Sequence, residues 1–87
     1  LPLINLRASL LYYRLGKFEQ SLKFAQSLEN SVYADRGIIL TGQIYEYKLK
    51  SFNEAESQYL RIINEYPSSV FSEPIRFHIR KLEQKNL

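Results

Sequence analysis

Apolar residues recur at helical intervals along almost the whole chain. Leu3, Leu6, Leu10 and Tyr13 follow the three-to-four spacing of one helix face, and Ala8, Leu11 and Leu15 widen it. The same rhythm returns in Phe18, Leu22, Ala25 and Leu28, then in Ile38, Ile39, Tyr45 and Leu49. It returns again in Ala55, Tyr59, Ile62 and Ile63, and last in Ile75, Ile79 and Leu82. Period-two alternation never persists beyond a few residues, so no strand competes. The pattern predicts five helices, at about 2–15, 18–29, 33–50, 52–66 and 73–84.

Punctuation between the stripes supports these bounds. Pro2 fits a first helical turn, whose amides need no partner. Gly16 follows the first stripe where a left-handed C-terminal residue is expected. Ser51 followed by Glu54 predicts a capping box for the fourth helix. Pro67-Ser68-Ser69 ends that helix, and Ser72-Glu73-Pro74 opens the fifth. Gly37 and Gly42 fall inside the third helix, where each costs about 1 kcal/mol relative to alanine. Close approach of another helix is the expected reason for Gly42.

Sliding the chain by 34 residues aligns Ala8 with Gly42, Leu11 with Tyr45, Tyr13 with Tyr47 and Leu15 with Leu49. It also aligns Phe18 with Phe52, Ser21 with Ala55, Leu28 with Ile62 and Asn30 with Asn64, although Leu22 meets Glu56. A period of about 20–50 residues points to stacked repeats, in which each helix pair hides its apolar stripe against the next.

The residues of this period resemble the tetratricopeptide repeat (TPR) family. The stretch from Tyr12 to Leu22, Tyr12-Tyr13-Arg14-Leu15-Gly16-Lys17-Phe18-Glu19-Gln20-Ser21-Leu22, is similar to the family's turn between its two helices. Tyr47-Lys48-Leu49-Lys50-Ser51-Phe52-Asn53-Glu54-Ala55-Glu56 forms the second copy, and Pro67 stands where the family commonly closes a repeat. The resemblance implies an all-α, TPR-like α-solenoid: repeat 1 at about 2–30, repeat 2 at about 33–66 and a capping helix at about 73–84. One domain would span residues 1–87, as the C-terminal part of a longer solenoid. The family's small helix-A residue fits Ala8 and Gly42 if the following turn is one residue longer than usual; the other register, through Ser9 and Gln43, puts a glutamine at a tight crossing. Tyr66-Pro67-Ser68-Ser69-Val70-Phe71-Ser72 resembles the linker of bacterial envelope TPR proteins, which implies periplasm or cell envelope ahead of cytoplasm.

Composition changes this picture by subtraction. The 87 residues are 45% hydrophobic and 24% charged, with no Cys, Met or Trp, so thiolate chemistry, disulfides and soft-metal sites are excluded. The opening Leu1-Pro2-Leu3 without methionine is expected not to be an authentic N-terminus. No apolar run approaches the roughly 18 residues of a membrane span. The net charge is +3, with Arg76, Arg80, Lys81 and Lys85 outnumbering Glu73 and Glu83 in the tail. These bases are interleaved with glutamate instead of lining one recognition helix, which argues against nucleic acid as the partner.

Candidate chemistry is sparse. His78 and Asp35 are single copies of their kinds and fall in different predicted helices, and no serine stands in a nucleophile elbow. No catalytic residue, metal site, cofactor or small-molecule substrate is expected, and His78 is assigned a partly buried structural role. In TPR arrays the first helix of each pair lines the concave face. That resemblance marks Asn5, Ser9, Tyr12, Tyr13, Arg36, Ile39, Gln43, Glu46 and Tyr47 as the partner-binding surface. Tyr and Arg are frequent interface anchors, while interior packing is an equal alternative for Tyr13 and Tyr47. The expected activity is therefore a non-catalytic scaffold for a protein or peptide partner, with nucleic-acid binding, or self-association through the leucine-rich first helix, as alternatives.

Overall fold

The computed structural model describes residues 1–85 and is all-helical, with no strand among them. Five α-helices follow in order: α1 (Pro2–Arg14), α2 (Phe18–Gln26), α3 (Ala34–Gln43), α4 (Phe52–Glu65) and α5 (Ser72–Lys85). A π-helical turn, Ile44–Lys48, continues α3. No helix among the described residues is long and apolar enough to cross a membrane. Each helix packs chiefly on its neighbours in the chain, and the whole measures 38 × 29 × 15 Å.

The main core lies where α3, α4 and α5 meet. Ile38, Ala55, Tyr59, Ile62, Ile75, Ile79 and Leu82 are buried together there. A smaller cluster joins α2 to α3 through Ala25, Leu40 and Ile44, with Tyr13, Phe18 and Leu22 packed against it. The stripes predicted for α4 and α5 thus face the core. The stripe of α1 does not: only Leu6 and Ser9 are buried in that helix.

Two glycines set the helix spacing. A Cβ on Gly37 would lie 2.6 Å from the Ala25 carbonyl oxygen, and one on Gly42 would lie 2.6 Å from Cε1 of Tyr59. Close approach therefore explains both residues: α2 crosses at Gly37, and the Tyr59 ring of α4 lies against Gly42. Gly16 closes the first hairpin with φ +77°, the left-handed conformation expected of it.

The sequence pattern and the structure part at three places. The third helix does not run unbroken to residue 50: beyond Gln43 the Leu49 amide donates to Ile44, five residues back. The second stops at Gln26 instead of 29: the Leu28 and Glu29 amides donate to the Ala25 and Gln26 carbonyls, three residues back, and Asn30 follows at φ +65°. The capping box is not formed, since the Ser51 side chain makes no cap hydrogen bond. Ser51 sits at φ −96°, ψ +81°, almost the dihedrals of Lys17 in the first hairpin turn at φ −95°, ψ +78°. The turn dictates this geometry whichever residue occupies it, and its ψ falls short of the extended value usual for a capping serine.

The hydrogen bonds also show where the spacing of 34 holds. Lys17 and Ser51, which open α2 and α4, are 34 apart, but the carbonyls their amides reach, Tyr12 and Tyr45, are 33 apart. The π turn absorbs the extra residue. Counted back from these carbonyls, Gly42 aligns with Ser9 and not with Ala8. Asn30 is left-handed in a linker while Asn64 lies within α4, so that pairing has no structural counterpart.

Candidate functional site

The side of the molecule formed by α1, α3 and the turn that precedes α5 carries an open groove of about 250 Å³. Leu6 and Leu40 form its buried floor; Leu10, Ile39 and Phe71 form its walls; Arg36 and Gln43 stand at its rim. The Arg36 guanidinium lies 5.7 Å from the centroid of the Tyr33 ring, which holds the charge near the groove entrance. The lining offers apolar contact with one fixed cation and one amide, a combination suited to a peptide side chain and its carboxylate.

The residues marked by sequence reasoning fall at different places in the fold. Arg36, Ile39 and Gln43 line the groove, and Asn5 is half-buried on α1. Tyr12 and Tyr13 are half-buried and already engaged: Tyr12 stacks on Phe24 at 5.6 Å, and Tyr13 meets Phe18 edge-on at 5.9 Å. The Lys48 ammonium lies 5.4 Å from the Tyr13 centroid and 5.8 Å from that of Phe18. Tyr47 is exposed beside His78, with ring centroids 6.5 Å apart.

Ser9 and Glu46 lie inside the fold, which removes both from the surface. Ser9 Oγ donates to the Leu6 carbonyl at 2.7 Å, and the Ser9 carbonyl accepts a 2.7 Å bond from Ser21 Oγ in α2. Glu46 is 2% exposed, and its Oε1 accepts from the Tyr59 hydroxyl at 2.9 Å and from His78 Nε2 at 2.7 Å. A carboxylate can only accept, so His78 presents the Nε2–H form to it. Glu46 Oε2 is buried without a hydrogen-bond partner. One side chain thereby ties the π turn to both α4 and α5.

This node perturbs its neighbours in a consistent direction. Burial pushes the Tyr59 hydroxyl far above its usual range, and the hydrogen bond to Glu46 and its negative charge push further. Tyr47 shifts upward for the same leading reason, burial, followed by the charge of Glu46. Neither shift supplies a nucleophile at neutral pH, because both favour the neutral phenol. The node's chemistry is cohesion between helices.

Sequence reasoning placed His78 as structural but missed its partner. The available signal was Gly42, one helical turn before Glu46: a carboxylate on the side of a tight crossing faces inward.

The basic residues Arg76, Arg80, Lys81 and Lys85 of α5 are exposed, and Lys81 sits 5.0 Å from the Phe77 ring centroid. Glu73 pairs with Arg76 at 3.5 Å, which breaks up the positive field there. Comparison with protein-family models, with curated proteins and with solved structures finds no match to this chain. The functional reading therefore stands on the geometry of the groove.

Proposed function

We propose that the chain is a non-catalytic interaction scaffold of stacked helical hairpins, of the TPR-like kind that its turns resemble. The groove between α1, α3 and Phe71 holds a peptide segment of a protein partner. Apolar side chains of that segment enter between Leu10, Ile39 and Phe71, and an adjacent carboxylate pairs with Arg36. The observation that carries this reading is the open apolar groove with Arg36 and Gln43 at its rim. The close helix crossings at Gly37 and Gly42 favour it too, because they make a stiff platform for recognition.

The test is a random-peptide display selection against the full chain, followed by titration of the enriched peptides. Arg36→Ala and Leu10→Ser should each weaken binding by about tenfold or more, the effect of removing an interface anchor. Circular dichroism should stay unchanged, since Arg36 is exposed and Leu10 is 41% exposed. Enriched peptides indifferent to both substitutions would remove the groove as the binding site.

A further inference from the structure

The linkers that precede α3 and α5 are built alike. Ser31-Val32-Tyr33-Ala34 and Ser69-Val70-Phe71-Ser72 keep the order serine, valine, aromatic, small residue. In each, the serine Oγ accepts the amide of the aromatic residue at 3.1 Å. The residue after the aromatic donates its own amide to the serine carbonyl, also at 3.1 Å. Val32 and Val70 both stand exposed.

The two linkers differ in where the serine hydroxyl sends its proton. Ser31 Oγ donates locally, to the Leu28 carbonyl at 2.7 Å. Ser69 Oγ donates at 2.7 Å to Oδ2 of Asp35, 34 residues away in the first turn of α3. The first linker closes with a local acceptor, so the turn itself does not call for Asp35. What the long bond adds is a tie between the second linker and the start of α3. Oδ1 of the same carboxylate accepts the Arg36 amide at 2.9 Å, so Asp35 is held at both oxygens.

Both linker aromatics border the groove. The Tyr33 ring lies beside the Arg36 guanidinium, and Phe71 forms a wall. The Phe71 amide is bonded to Ser69 Oγ, and Ser69 Oγ to Asp35, so two hydrogen bonds join the wall to the end of α3 that carries Arg36. We propose that Asp35 is a positioning residue of the groove: through Ser69 it sets where Phe71 stands relative to Arg36 and Ile39. It thereby governs how well the site accepts a bulky apolar side chain next to a carboxylate, a role that rests on the groove being the peptide site. A wall fixed before binding removes the cost of ordering it on binding.

The experiment uses the full chain, the peptide most enriched in the display selection, and its analogue with alanine at the apolar anchor. Asp35→Ala and Ser69→Ala should each weaken the enriched peptide about threefold or more, as expected of residues coupled through a shared contact. Ser69→Thr keeps the hydroxyl and should keep the parent affinity. Neither loss should appear with the alanine analogue, which presents nothing to the wall, whereas Arg36→Ala should weaken both peptides. Amide exchange followed by NMR gives a readout without peptide. In Asp35→Ala the Phe71 amide should exchange faster, while the Tyr33 amide, bonded to Ser31, should not.

Unchanged affinity in Asp35→Ala, with binding still weakened by Arg36→Ala, would overturn the positioning role and leave the groove standing. Indifference to both substitutions would remove the groove and the role together. A loss in Asp35→Ala that persists with the alanine analogue would assign the effect to Arg36 or to loosening of α3, and would also overturn it. So would a Phe71 amide that exchanges in Asp35→Ala as it does in the parent.

Discussion

Alanine at Gly37 would press its Cβ against a backbone oxygen of α2, whereas at Gly42 it would press against a ring carbon of Tyr59. Each substitution gains about 1 kcal/mol of helix propensity, but overpacking a fitted crossing costs about 1–3 kcal/mol. Backbone cannot yield alone, so Gly37→Ala should be the more destabilising of the two. Urea midpoints check the order, and an alanine at residue 37 as stable as glycine would contradict the crossing. Tyr59→Phe removes one donor from the buried Glu46 carboxylate and should cost about 1.5–3 kcal/mol. Tyr59 also sets an alkaline signature. Its folded pKa is raised above the unfolded value of about 10, so its contribution is intact below that pH. As pH rises further, unfolded Tyr59 ionises while the folded residue keeps its proton, and stability falls by up to about 1.4 kcal/mol per pH unit. Urea midpoints between pH 9 and 11 should decline less steeply in Tyr59→Phe than in the parent; equal slopes would refute this.

The helices differ in how much they bury. α4 buries Ala55, Tyr59 and Ile62, and α5 buries Ile75, Ile79 and Leu82, whereas α1 buries only Leu6 and Ser9. Hydrogen exchange should therefore be faster in α1 than in α4 and α5, because local opening follows the apolar surface each element hides. Protection in α1 equal to that in α4 would show that its outer stripe is covered in solution. The π turn is held by more than its own backbone: Glu46 anchors one side, and Lys48 lies over Tyr13 and Phe18 on the other. Arg61 adds a surface link, bonding Glu29 at 2.8 Å and Glu65 at 3.1 Å. These carboxylates hold the guanidinium well above its usual range, Glu65 first. Exposed pairs of this kind contribute at most about 1 kcal/mol, so this link adds little to holding α4 beside the turn that follows α2.

The molecule is a slab 15 Å thick whose helices pack mainly on their neighbours in the chain. Local packing keeps loop-closure costs small, and helical domains with such topology fold in about microseconds to milliseconds. Stopped-flow refolding should accordingly be complete within milliseconds; a dominant phase of seconds would contradict packing chiefly between neighbouring helices. The thinness also has a functional consequence, since it leaves the groove on one side and the bare stripe of α1 on another.

The amphipathic periods by themselves determined five helices, their order and the inward faces of α4 and α5, because helical spacing is a property of consecutive residues. Gly16 was legible for the same reason: a left-handed turn residue is a local demand. The groove was legible in part, through Arg36, Ile39 and Gln43, which share a helix face. Tertiary structure alone decided the rest. The π turn advances less per residue than an α-helix, so the phase extrapolated from α3 fails beyond Ile44. Glu46 became interior because Tyr59, 13 residues away, and His78, 32 residues away, converge on it. Ser9 went inside because α2 crosses there, and Leu11 stayed outside because no helix does. Periodicity says which side of a helix is apolar; only packing says which apolar sides acquire a neighbour.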